Sequence, residues 1–128
     1  MIESSAGPAD QGSAPSIEPA EAALDIDHLG RMTLGDRDLE REVLQLFDRQ
    51  TAMLAERLRG ATAAVAASCA HTLKGSARGI GAWRLAHAAE RVERVVAAGE
   101  PELTAVIEQL IGAVGETRTA IARRLPPN

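Results

Sequence analysis

"AHTLKGSARGIGAWRLAHAAERVE", residues 70–93, reads as the end of one helix, a glycine stop and the start of a second helix. The two helices are expected over about residues 61–78 and 81–98, with Gly99 ending the second. On a wheel at about 100° per residue, Val65, Cys69, Leu73 and Ile80 fall on one side, with Ser76 among them. That side is the expected core face. Gly79 and Gly81 bracket the turn. Beyond it, Ala82, Leu85, Ala86, Ala89, Val92 and Val96 define an inner stripe, while Arg84, His87, Arg91 and Arg94 point outward. Two amphipathic helices joined by so short a turn pack as antiparallel neighbours.

The same pattern continues on both sides. Upstream, "GDRDLEREVLQLFDRQTAMLAERLRG", residues 35–60, repeats Leu39, Val43, Leu46, Phe47, Leu54 and Leu58 at helical spacings. Asp36 is the expected N-cap and Gly60 the expected stop. Downstream, Pro101 suits a first helical position, and Leu103, Val106, Ile107, Leu110, Val114 and Ile121 follow. "LDIDHLGRMTL", residues 24–34, reads as a short helix with Asp25 or Asp27 near its start. No segment has a strand pattern. The expected fold is all-α: an antiparallel up-down four-helix bundle over residues 24–125, with a short N-terminal capping helix. Residues 1–23 are rich in Gly, Pro, Ser, Ala and acids and read as a disordered or weakly ordered tail. It is either a leftover without function or a tether. Residues 126–128 are the C-terminal end.

Composition narrows the function. A chain of 128 residues supports one modest core. With one Phe, one Trp and no Tyr, that core is aliphatic and alanine-rich, which suits close helix packing better than a sandwich of sheets. The net charge of −4 excludes a basic nucleic-acid footprint. A lone cysteine, Cys69, excludes an internal disulfide and a zinc site built on Cys pairs. No apolar run is long enough to span a bilayer, and the N-terminus lacks a secretory pattern. A cytoplasmic protein without membrane or nucleic-acid partners is expected.

His71 lies nearly opposite the core face of its helix, on a stripe with Ala64, Ala67, Lys74, Gly75 and Arg78. An exposed unprotonated imidazole is a nitrogen nucleophile. Gly75 lies one turn along, where a larger side chain would cover the ring. Glycine inside a helix costs about 1 kcal/mol relative to alanine, and access for another protein's active site is a function that offsets it. Lys74 and Arg78 would flank an anion attached to His71. Taken alone, His71 reads first as a solvated surface histidine; the combination with Lys74 and Gly75 is what singles it out. Glu93 falls within the apolar stripe of the next helix and needs a partner there. Either it accepts a hydrogen bond from His71 Nδ1–H, leaving Nε2 as the nucleophile, or it sits at the stripe's edge and reaches water.

These residues resemble the signature of histidine-containing phosphotransfer (HPt) domains. The matching positions are His71, Leu73, Lys74, Gly75, Ser76, Ala77, Ile80, Gly81, Ala82, Leu85, Ala89, Val92 and Glu93. Ala89 stands where Cys is common, and Arg78 is not a fixed position of the pattern. The helical pattern extends the resemblance over residues 24–124 and leaves the N-terminal segment outside. The resemblance implies a phosphocarrier of two-component relays. His71 would be the phosphorylated residue, Lys74 would lie near the phosphoryl oxygens, Gly75 would give clearance and Glu93 would bond the imidazole.

Partners implied in this way are receiver domains of response regulators and of a hybrid histidine kinase. The carrier is expected to be a monomer without a cofactor of its own, the Mg²⁺ belonging to the partner receiver. Docking is expected on Ala63, Ala64, Ala67 and Ala70 and on surface residues of the first two helices. Two alternatives are a chemotaxis-type phosphoacceptor domain served by a kinase domain, and a helical adaptor without covalent chemistry. A metal site of His71, His87 and Glu93 is disfavoured, because His87 points away from the stripe that bears Glu93. "GSARGIG" lacks the lysine and preceding strand of a nucleotide loop, so ATP binding is not expected.

Overall fold

The computed structural model describes residues 22–126. Most of the segment read as a tail, residues 1–21, lies outside them, as do residues 127–128. Five helices follow in order: α1 (Ile26–Met32), α2 (Arg37–Leu58), α3 (Ala63–Ile80), α4 (Trp83–Ala98) and α5 (Leu103–Arg124). Among the described residues there is no strand. Helices α2 to α5 form an up-down bundle in which α2 neighbours α3 and α5, and α4 neighbours α3 and α5. α1 packs on α3.

Local chemistry sets the ends. Asp25, Asp36 and Thr62 cap α1, α2 and α3 by accepting backbone N–H bonds in the first turn. Gly60, Gly81 and Gly99 take positive φ just past helix ends. α5 begins at Leu103 rather than at Pro101, which lies in the preceding turn. α3 runs on to Ile80, so of the two bracketing glycines only Gly81 is the stop.

The core is aliphatic, as the composition implies. α3 buries Ala66, Cys69, Ala70, Leu73, Ala77 and Ile80; α4 buries Leu85, Ala86, Ala89, Val92 and Val95. Alanines on both faces let these two helices approach closely, and their contact is the most extensive in the molecule. α2 presents Leu44, Phe47, Leu54 and Leu58 to the core, and α5 presents Val106, Leu110, Val114 and Ile121. Arg124 binds Glu40 through two hydrogen bonds (2.8 and 3.1 Å), and Arg118 reaches Asp48 at 2.8 Å. These pairs fix α5 antiparallel to α2.

Several expected core residues lie elsewhere. Leu39 and Leu46 of α2 are exposed, with Met53 beside them in the same seven-residue spacing. A bundle helix buries one apolar row, and the row of Leu44, Phe47 and Leu54 takes that place. Val65, Ser76 and Val96 are only half-buried, whereas Ala70 is buried and unavailable for docking.

The short α1 closes over the α3–α4 turn. Asp25 N–H donates to the Gly81 carbonyl (2.9 Å), Trp83 Nε1–H donates to Asp25 Oδ2 (2.9 Å) and His28 Nε2–H donates to the Arg78 carbonyl (3.0 Å). The His28 and Trp83 rings meet edge to face at 4.8 Å. The hydrogen bond from Trp83, with that from the His28 backbone, holds the Asp25 carboxyl below its ordinary value.

Candidate functional site

His71 projects from the middle of α3 with 74% of its side chain exposed. Neighbouring α4 brings Glu93 to the same level. His71 Nδ1 and Glu93 Oε2 are 3.0 Å apart. A carboxylate only accepts, so Nδ1 carries the proton and Nε2 faces solvent with its lone pair free. Of the two readings of Glu93, the hydrogen-bonded one is the geometry found.

Glu93 has a second partner that the wheel did not reveal. Its Oε1 is closed off from solvent, and the Lys74 ammonium lies 2.6 Å from it. Lys74 is therefore not a free cation on the exposed stripe; its side chain is only 20% exposed. The signal was present in the spacing, because Lys74 falls on the α4 side of His71, where Glu93 must approach. Burial disfavours ionisation of Glu93, but the bonds from Lys74 and His71 outweigh it and hold the carboxyl below its ordinary value. One carboxylate thus orients the imidazole and immobilises the lysine.

Gly75 is exposed, and a Cβ built there would meet nothing within 4 Å. No neighbour among the described residues demands a glycine at that position. Ala64 is exposed and Ala67 half-buried, on the same helix as His71. Arg78 is exposed, but its acidic neighbour is Glu90, at 3.9 Å, on the α4 side. His87 stands on the outer face of α4, and among the described residues no group of three His, Cys, Asp or Glu is placed to hold a metal ion.

α2 adds an exposed apolar ridge. Leu46 and Met53 are 60% and 59% exposed and, with Arg49 and Gln50, line a shallow apolar depression. Ser76 Oγ donates to Gln50 Oε1 (3.2 Å), which pins this ridge to α3. In antiparallel register Met53 comes level with Leu73, about 3 Å along the axis from His71 at 1.5 Å per residue. Between the ridge and the imidazole α3 offers Ser68, Thr72, Gly75 and Gly79, all small. The seven-residue repeat of Leu39, Leu46 and Met53, in excess of the one row that a bundle helix buries, was the available signal.

The described residues contain no helix long and apolar enough to cross a membrane. A search of curated proteins finds no match to the chain. The family model for the Hpt domain matches residues 37–123, which span α2 to the last turn of α5 and leave α1 outside. Hpt domains serve histidine phosphotransfer in phosphorelays and interact there with receiver domains. With that match over more than half of its length, and with the all-α bundle that carries it, this chain belongs to the Hpt domain family.

Proposed function

We propose that this protein is a cytoplasmic, monomeric phosphocarrier that accepts a phosphoryl group on His71 from a receiver-domain aspartate and passes it to another receiver. The observation that carries the reading is the exposed Nε2 of an imidazole whose Nδ1–H is held by Glu93 at 3.0 Å.

In the step, the Nε2 lone pair attacks phosphorus in line as the aspartyl P–O bond breaks. The receiver carboxylate leaves with the bonding pair, and a P–N bond forms. The ring then carries positive charge shared with Nδ1–H, next to the Glu93 carboxylate that accepts from it. Glu93 thus stabilises the phosphorylated ring and prevents the other tautomer. Lys74 offsets the charge of Glu93 and lies one turn from the phosphoryl oxygens. Mg²⁺ is assigned to the receiver, whose active site supplies it. Reversal with a second receiver discharges the histidine.

The partner meets His71 over Ala64, Ala67 and Gly75, framed by the Leu46–Met53 ridge and by Arg78. A patch of this size, shared among receivers, supports weak and transient binding. The test is to incubate the chain with phosphorylated receivers and follow the label. Acid-labile, alkali-stable label on the wild type that is absent from His71→Gln supports the reading. Label retained by His71→Gln, or no transfer from any receiver, overturns it.

A further inference from the structure

The two oxygens of the Glu93 carboxylate have different surroundings. Oε2 meets His71 Nδ1 at 3.0 Å. Oε1 exposes less than 1 Å², and the group that meets it among the described residues is the Lys74 ammonium, at 2.6 Å. Burial raises the carboxyl, and the bonds from Lys74 and His71 together lower it by more. The next charges are engaged with one another: Glu90, one turn away on α4, lies 3.9 Å from Arg78 and 3.6 Å from Arg94.

A carboxyl group facing Nδ1 can hold the ring in two ways. Ionised, it accepts from Nδ1–H and leaves the lone pair on Nε2. Protonated on Oε2, it donates to Nδ1, and the neutral ring then carries its single N–H at Nε2. The second arrangement removes the nucleophile. A carboxylate that turns away to water removes the constraint altogether, and a free histidine ring favours N–H at Nε2. His71 therefore needs Glu93 both ionised and in place.

We infer that Lys74 is a positioning residue: with its ammonium on Oε1 it keeps Glu93 a carboxylate, fixed against the ring, and so keeps hydrogen off Nε2 of His71. It acts through Glu93 rather than by binding the phosphoryl group, the role that the family resemblance implies. To reach phosphoryl oxygens the ammonium has to leave Oε1, which then has neither a donor nor access to water. Leaving a buried charged oxygen bare is costly, so the pair stays closed while the phosphoryl group is on the ring. Lys74 itself is only 20% exposed, turned towards α4 and away from an incoming partner. This role rests on the reading of His71 as the phosphoryl acceptor, but the tautomer of the unphosphorylated ring tests it without any transfer.

The test is a double-mutant cycle on the full chain with Lys74→Met and Glu93→Ala. Methionine keeps the apolar stem of the lysine and its helix preference, so α3 stays folded. Two quantities are read in each variant: the His71 tautomer, by ¹⁵N NMR at a pH where the ring is neutral, and the rate of phosphorylation by phosphoramidate. The wild type should hold its N–H at Nδ1. Lys74→Met and Glu93→Ala should each shift it towards Nε2 and slow phosphorylation severalfold. Added to Glu93→Ala, Lys74→Met should change the rate by less than about twofold, because the carboxylate through which it acts is gone. Three results would overturn the inference: a wild-type ring with its N–H at Nε2, a tautomer unchanged in Lys74→Met, or the same fold loss of rate from Lys74→Met with and without Glu93. The last would put the ammonium on the phosphoryl group.

Discussion

Gly75 sits mid-helix with open space around its missing side chain. Within the folded chain its absence has a cost and no packing benefit. Gly75→Ala should therefore raise stability by about 1 kcal/mol in urea unfolding. Gly75→Gln should also fold at least as well as the wild type, yet block transfer from a receiver by crowding His71. Full transfer in that variant would show that clearance is not its role. Glu93 makes the complementary case. Its carboxyl is held below the ordinary value, so the stability it contributes is complete above about pH 4.3, the unfolded value, and is lost as pH falls through the lowered folded value. Glu93→Gln should be about 1 kcal/mol less stable at neutral pH, with the gap closing in acid as the wild-type carboxyl protonates. A gap that does not narrow at all as the pH is lowered would count against the bonding described. The exposure of His71 and a plausible role for Glu93 were readable on helical wheels. The Lys74–Glu93 pair was not, because a wheel gives direction but not the separation of two helix axes, which the alanines of α3 and α4 decide.

Among the elements, the α3–α4 turn is where sequence and structure agree most closely. Gly81 adopts φ +81°, and a Cβ there would stand 3.0 Å from Asp25 Cβ, 3.1 Å from the Asp25 carbonyl oxygen and 3.2 Å from His28 Cβ. The stop glycine is thus also the seat of α1. Gly81→Ala should cost roughly 2–3 kcal/mol through backbone strain and contact. Trp83, the single tryptophan, should report it by fluorescence, since displacing α1 breaks its bond to Asp25. An unchanged emission and unfolding midpoint would contradict this. The short helix was legible as an element from its apolar spacing. Its docking was not, because Trp83 is distant in sequence from Asp25 and His28 and meets them only through the turn. In α2 the reverse happened: the spacing was correct for a helix, but two apolar rows competed for one core.

For the molecule as a whole, the four-helix arrangement follows from four amphipathic segments with glycine-marked ends and an alanine-rich interior. It places His71, the Glu93 carboxylate bound to it and an exposed apolar ridge on one side. Leu46→Asp combined with Met53→Asp removes exposed apolar surface and should leave stability within about 0.5 kcal/mol. Receiver-dependent transfer should fall at least tenfold, while phosphorylation by a small phosphodonor such as phosphoramidate should be unaffected. Loss of both would place the fault in His71 chemistry rather than in docking. The exposed ridge was the least legible part of the site: its seven-residue repeat shows an apolar row in excess of the core, but one sequence does not say which of the two rows is buried.

The most direct measurement is the identity of the phosphorylated nitrogen, read by ³¹P and ¹⁵N NMR after transfer from a phosphorylated receiver. With Nδ1–H bound to Glu93, the phosphoryl group should be on Nε2 of His71 and on no other side chain. Phosphorylation at Nδ1, or on a residue other than His71, would contradict it.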